Sequence, residues 1–218
     1  YKAPRQIEEL INVRPQIQEI FNKNETLAFK DVDKLTPEKF GVLGHIDPSR
    51  NMLVEAARIA RGNITPIQDV QPGDLDGLIL PGGFGSAKNF TKWAFEGPDG
   101  AILPEVKLLL VNLVNIGKPI AALCVSPVVL AKALEGSNIH PSLTIGTTAA
   151  ASPYDIEAFS QGLEKTGATT AYKTVKEIHV DPTNKIITAP CYMLEASLPA
   201  LQQNIRQSLA ALQKLLES

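Results

Sequence analysis

Cysteine, aromatic residues and net charge are all scarce in this chain. Two cysteines, Cys124 and Cys191, occur in 218 residues. They show neither metal-ligand spacing nor a disulfide framework, so a reducing compartment is expected. The formal charge of −2 supplies no field to draw in nucleic acid or an anionic membrane. No apolar run approaches the ~20 residues of a membrane span. A Walker phosphate loop is missing, and so is the Gly-x-Gly-x-x-Gly dinucleotide fingerprint. No cofactor and no metal are expected. The first residue is Tyr1 rather than methionine, which fits either a removed targeting segment or a start inside a longer chain.

What is present is a large apolar fraction, 44%, enough for a sizeable core in one large domain. The chain is organised around Pro119-Ile120-Ala121-Ala122-Leu123-Cys124-Val125-Ser126-Pro127. The apolar run reads as a buried parallel strand. Pro127 then stands where a helix begins, where a missing N–H costs nothing. Cys124 is thus expected on a sharp strand-to-helix turn at the carboxyl edge of a sheet, where open α/β folds bind ligands. The same geometry presents nucleophiles in hydrolases, and a helix N-terminus favours thiolate. The plainer alternative is a small buried hydrophobe.

A second stretch, Leu75 to Leu80, reads as a strand running into Pro81-Gly82-Gly83-Phe84-Gly85-Ser86-Ala87-Lys88-Asn89. Its glycines permit positive φ and close approach. The amides of Gly82, Gly83, Phe84 and Gly85, with that of Val125, are candidates to hold an anion or an oxyanion beside the thiol. A plain tight turn is the alternative.

The rest of the chain alternates between helical and extended patterns. Residues 1–25 have helical spacing broken by Pro15, and a divergent helical segment is expected over 1–41. Helices are expected over Asn51–Arg61, Leu103–Ile116 and Asp155–Thr166, each closed by a glycine. Phe90 to Gly100 reads as a surface stretch carrying Trp93, the one tryptophan. Short strands are expected at Leu143–Thr148 and Ala171–Val175. A hairpin joins Glu177–Asp181 to Lys185–Ala189 across Pro182-Thr183-Asn184. Leu194 to Ser218 carries leucines at steps of three and four, a long helical stripe. His179 reads as structural and Cys191 as packing. His45, Asn89, Thr188 and Pro190 are candidate pocket residues. The pattern implies an α/β fold: a three-layer sandwich with a mostly parallel sheet, a C-terminal β-hairpin and a long C-terminal helix.

Leu78-Ile79-Leu80-Pro81-Gly82-Gly83-Phe84-Gly85-Ser86-Ala87-Lys88-Asn89 resembles the signature of the ES1/ElbB proteins, a branch of the DJ-1/PfpI class-I glutamine-amidotransferase-like superfamily. Ser49 to Gly62, the Cys124-Val125-Ser126-Pro127 turn, Leu143-Thr144-Ile145-Gly146 and Asn184 to Pro190 resemble it in the same order. The likeness covers residues 42–218. It implies a flavodoxin-like sandwich, a cysteine nucleophile at position 124 and a dimer. Bacterial members are linked to glyoxalase-like handling of reactive aldehydes, and eukaryotic members are mitochondrial.

The start departs from the family, whose members open with an apolar strand and a glutamate that tunes the cysteine. Gln6-Ile7-Glu8-Glu9 sets glutamine at that place, with Glu8 or Glu9 as the remaining acids. Val125, not histidine, follows Cys124. A nucleophile without its base loses much of its power. Two expectations follow. One is a non-catalytic subunit, or pseudoenzyme, in a homodimer or larger hetero-assembly of protein chains, mitochondrial rather than cytoplasmic. The other is a glyoxalase III-like lyase or hydratase in which Cys124 adds to a small aldehyde. Neither needs nucleic acid or a membrane span.

Overall fold

Strands after which the sequence places its glycine turn and its cysteine lie side by side in a single sheet. The structure, a computed structural model, describes residues 52–217. The expected helical segment over 1–41 and the candidate pocket residue His45 lie outside the described residues.

Helix α1 (Met52–Ile59) opens the described part, and its chain turns away at Gly62, whose amide donates to the Ala57 carbonyl. Two 3-10 turns, at Ile67–Asp69 and Pro72–Asp74, lead to β1 (Leu78–Leu80). The strand starts later than its sequence pattern predicts, because the Leu75 amide is drawn into the second turn by the Pro72 carbonyl. Helices α2 (Phe84–Asn89), α3 (Trp93–Glu96) and α4 (Pro104–Asn115) precede β2 (Ile120–Leu123) and α5 (Pro127–Leu134). Then come β3 (Ser142–Leu143), α6 (Ile156–Lys165), β4 (Thr169–Thr170), β5 (His179–Asp181), β6 (Ile186–Ala189) and α7 (Leu198–Leu216).

The main sheet has the order β1-β2-β6-β5. β1, β2 and β6 are parallel, in register Leu80↔Ala122 and Leu123↔Ala189, and β5 closes the expected hairpin antiparallel to β6. The hairpin turn is held by Asp181, whose carboxylate accepts from the Thr183 and Asn184 amides. Side chains alternate across the sheet. Leu78, Leu80, Ile120, Ala122 and Ile186 enter the large core with α4 and α5, while Ala121 and Ile187 meet Leu212 of α7. These are the two helical layers of a three-layer α/β sandwich. Burial of every residue of α5 makes β2–α5 the centre of the molecule. Even Lys132 is buried, its ammonium donating to the Pro98 carbonyl and the Glu135 carboxylate, each at 2.6 Å.

Three local expectations need correction. Phe84–Asn89 is helical rather than loop, because the Ser86 amide and hydroxyl both donate to the Gly83 carbonyl and start a turn. Trp93 is not on the surface. It is 5% exposed, and its indole packs so tightly against Gly162 that a Cβ there would sit 2.8 Å from the ring. The strand expected at Leu143–Thr148 is only Ser142–Leu143, paired with β4 in a separate two-stranded sheet. Beyond it, the Thr144 amide donates to the Thr188 hydroxyl instead of a ladder carbonyl, and Gly146 turns at φ +136°.

Candidate functional site

Cys124 stands at the carboxyl end of β2. Its amide donates to the Ala189 carbonyl at 2.9 Å, the last ladder bond of the strand. Its own backbone then turns left-handed, with φ 57°. The turn closes when the Ser126 amide donates to the Leu123 carbonyl, and Pro127 starts α5. A left-handed conformation costs a non-glycine residue roughly 1–2 kcal/mol. The surrounding core holds it, since β2, Val125 and all of α5 are buried.

The glycine turn wraps the same strand end from the β1 side. Gly82 has φ +100°, and a Cβ at that position would lie 2.7 Å from the Cys124 Cβ and 2.7 Å from the Leu123 carbonyl oxygen. Only glycine fits there. Gly83 (φ +85°) precedes α2, and the Phe84 ring tilts against Tyr154 at 5.1 Å. Asn89 ends α2 with its amide nitrogen folded back toward Gly85. Among the described residues, no acceptor takes the amides of Phe84, Gly85 or Val125. The Ser126 hydroxyl is also buried and has no hydrogen-bond partner among them.

A second cysteine lies on the other flank. β6 runs out through Ala189 and Pro190 into Cys191, which is also left-handed at φ 46°. Cys191 is buried with Leu123 and Ala189, and Cys124, Ile178 and Ile205 pack on that cluster. Its amide donates to the Asn204 side-chain oxygen at 3.0 Å, while the Asn204 side-chain nitrogen donates to the Glu177 carbonyl at 2.7 Å. Burial, with the neighbouring Cys124 adding to it, pushes the Cys191 thiol up to about 12, and the Cys124 backbone amide offsets this only in part. In this cluster the titratable group beside Cys124 is therefore a protonated thiol.

Thr188 and Pro190, expected in a pocket, are buried on β6 and just after it. The Thr188 hydroxyl is taken up by the Thr144 amide. Thr188 also stands opposite His179 in the β5–β6 ladder. The His179 Nε2 lies 2.8 Å from the Ser142 hydroxyl, and burial followed by the Lys173 charge lowers the affinity of its imidazole for a proton. Burial would raise the Asp181 carboxyl, but bonds from Asn184, Ser142 and Thr183 outweigh it and hold the group below its usual range. This polar cluster ties β3 to β5. Among the described residues, no group of three His, Cys, Asp or Glu side chains could hold a metal ion. No described helix is long and apolar enough to cross a membrane.

The sequence left two features of this site unread. Cys191 was assigned to packing because no helix follows it, and its nearness to Cys124 comes only from the pairing of β2 with β6. The unpartnered Ser126 hydroxyl had no sequence signal beyond its place after the turn.

The arrangement offers a thiol beside amides with no acceptor among the described residues. No family model matches the chain. The human glutamine amidotransferase-like class 1 domain-containing protein 3, mitochondrial, is 36% identical over 170 residues, which are 78% of this chain and 61% of the human protein. The rat ES1 protein homolog, mitochondrial, is 35% identical over 170 residues, again 78% of this chain and 61% of that protein. The chain thus spans less than two thirds of the length of these relatives. Among solved structures, an isoprenoid biosynthesis protein with an amidotransferase-like domain from Ehrlichia chaffeensis superposes with a TM-score of 0.66 at 31% identity, over 77% of this chain and 71% of that one.

Proposed function

This chain belongs to the ES1-like branch of the DJ-1/PfpI superfamily, and from that premise we propose that it is a mitochondrial, non-catalytic subunit of a larger protein assembly. The compartment is taken from the names of its human and rat relatives. The observation that carries the non-catalytic reading is the setting of Cys124. Its cluster with Leu123, Ala189, Ile178 and Ile205 is apolar, and the titratable group that joins it is the Cys191 thiol. A buried thiol that keeps its proton at neutral pH serves poorly as a general base. The cysteine turn still matters for folding, because it links β2 to α5 at the centre of the core.

A second reading has its own support. The amides of Phe84, Gly85 and Val125 are unspent among the described residues, as donors awaiting an oxyanion would be. In that reading the Cys124 thiolate adds to the carbonyl carbon of a small reactive aldehyde. The oxygen takes up the charge against those amides, and a carboxyl such as Glu8 or Glu9 moves the proton.

One pair of measurements separates the two. The full chain is incubated with glyoxal or methylglyoxal and loss of the dicarbonyl is followed, with Cys124→Ser as reference. The native size of the protein is measured in a mitochondrial extract. The subunit reading expects no turnover above the reference and a particle larger than one chain. Turnover that disappears in Cys124→Ser, from a protein migrating as a single chain, overturns it in favour of the enzyme.

A further inference from the structure

Cys124 and Cys191 leave adjacent parallel strands at the same edge of the sheet. Leu123 and Ala189 are register partners, and the Cys124 amide donates to the Ala189 carbonyl at 2.9 Å. Neighbouring strands run ~4.8 Å apart. A residue one step beyond one strand and a residue two steps beyond the other therefore fall within the ~4.4–6.8 Å Cα separation that a disulfide spans. Both residues are left-handed, and both side chains pack in the cluster with Leu123, Ala189, Ile178 and Ile205. Both are free thiols, one partly exposed and the other 3% exposed.

We infer that Cys124 and Cys191 form a peroxide-driven, reversible dithiol–disulfide pair, with Cys124 as the attacking thiol and Cys191 as the resolving one. The assignment of roles follows from access. Cys124 is the thiol that solvent reaches, whereas Cys191 is sealed under α7 and its high pKa keeps it protonated. In the first step the Cys124 thiolate attacks one oxygen of a hydroperoxide. The O–O bond breaks, a sulfenic acid forms, and the other oxygen leaves as water or alcohol after taking a proton. In the second step the Cys191 sulfur attacks the Cys124 sulfur. The S–O bond breaks, and the hydroxide leaves as water with the Cys191 proton. Two electrons pass from the thiols to the peroxide, and a dithiol reductant returns them. Because Cys191 already touches the sulfenic acid, the second step needs no opening of the core. It also stops Cys124 from climbing to the irreversible acids. This inference holds whether Cys124 is catalytic or idle, so it does not rest on the assembly reading.

The test uses the full reduced chain and hydrogen peroxide. After one equivalent, the remaining thiols are alkylated and the peptides weighed. The expected product is the Cys124 peptide joined to the Cys191 peptide within one chain, with loss of both alkylatable thiols and their return on addition of a dithiol reductant. In Cys191→Ala the same treatment is expected to leave Cys124 as sulfinic or sulfonic acid. The inference is overturned if wild-type Cys124 reaches those acids as fast as it does in Cys191→Ala, or if only disulfides between chains appear. A second measurement needs no variant. One equivalent of phenylarsine oxide, which bridges paired thiols, is expected to protect both cysteines from alkylation. Protection of neither, or of Cys124 alone, counts against the pair.

Discussion

Two strand ends in this molecule begin alike and finish differently. β2 and β6 are parallel neighbours, and each runs into a left-handed cysteine. After β2 the chain enters a helix, the Val125 amide is left without an acceptor among the described residues, and Cys124 stays partly open. After β6 the chain enters a short 3-10 turn, the Cys191 amide is spent on Asn204, and the thiol is sealed under α7. Backbone strain alone therefore does not mark a site. What separates the two ends is whether the amides beside the cysteine have been committed to the fold.

The sharpest way to break the first end is Gly82→Ala. Its Cβ would strike Cys124 and Leu123 in a left-handed backbone. A loss of about 3 kcal/mol is expected in chemical denaturation. Gly83→Ala shares the positive φ but has no atom within 4 Å of its new Cβ. It should cost only about 1 kcal/mol. Equal losses would mean that the conformation, and not the contact with Cys124, makes Gly82 necessary.

The second end is broken at Asn204. Asn204→Ala orphans the Cys191 amide and the Glu177 carbonyl in one step. A loss of about 2 kcal/mol is expected, with faster hydrogen exchange at the Cys191 amide. The Val125 amide, across the sheet, should exchange as before.

Relief of strain sharpens the contrast further. Cys124→Gly gives up little burial and should raise stability by about 1 kcal/mol in thermal or chemical unfolding. Cys191→Gly relieves the same strain but empties a site that is 3% exposed, so no gain is expected there. A gain at both positions would remove the distinction between the two ends.

The smallest effect is a dependence on pH on the β6 side. The folded chain depresses the proton affinity of His179 below its ordinary value of 6.5. The unfolded chain then binds the proton first, so this contribution is intact above about 6.5 and is lost as pH falls through the lower folded value. Stability measured across that range should decline with acid, and the decline should shrink in His179→Gln. A steeper decline in the variant would reverse the sign.

The sandwich was legible because its strands and helices carry strong local signals. Ile120 to Leu123 is an unbroken apolar run bounded by Pro119 and Pro127, and α4 and α6 are closed by Gly117 and Gly167. The cysteine turn could be read from the same residues, since one proline and one strand define it. Contacts across the fold could not. Trp93 lies among polar neighbours in sequence, and its burial depends on Gly162, far along the chain. Cys191 acquires its neighbour only when β6 is set against β2. The turn at Phe84 reads as loop because Gly83 and Gly85 flank it. It becomes a helix through a Ser86 side-chain bond that no periodicity reports.

The helix α7 also bears on how the chain comes off the ribosome. One face of β2 and β6, at Ala121 and Ile187, is covered by Leu212 of that final helix. During synthesis, Ala121 emerges long before Leu212 exists. At about 5–20 residues per second, the bare face persists for several seconds. Parallel strands separated by whole helices are slow to pair in any case. The nascent protein therefore presents an uncovered apolar sheet until its last helix arrives, and a general chaperone or an early partner chain would find its opening in that interval.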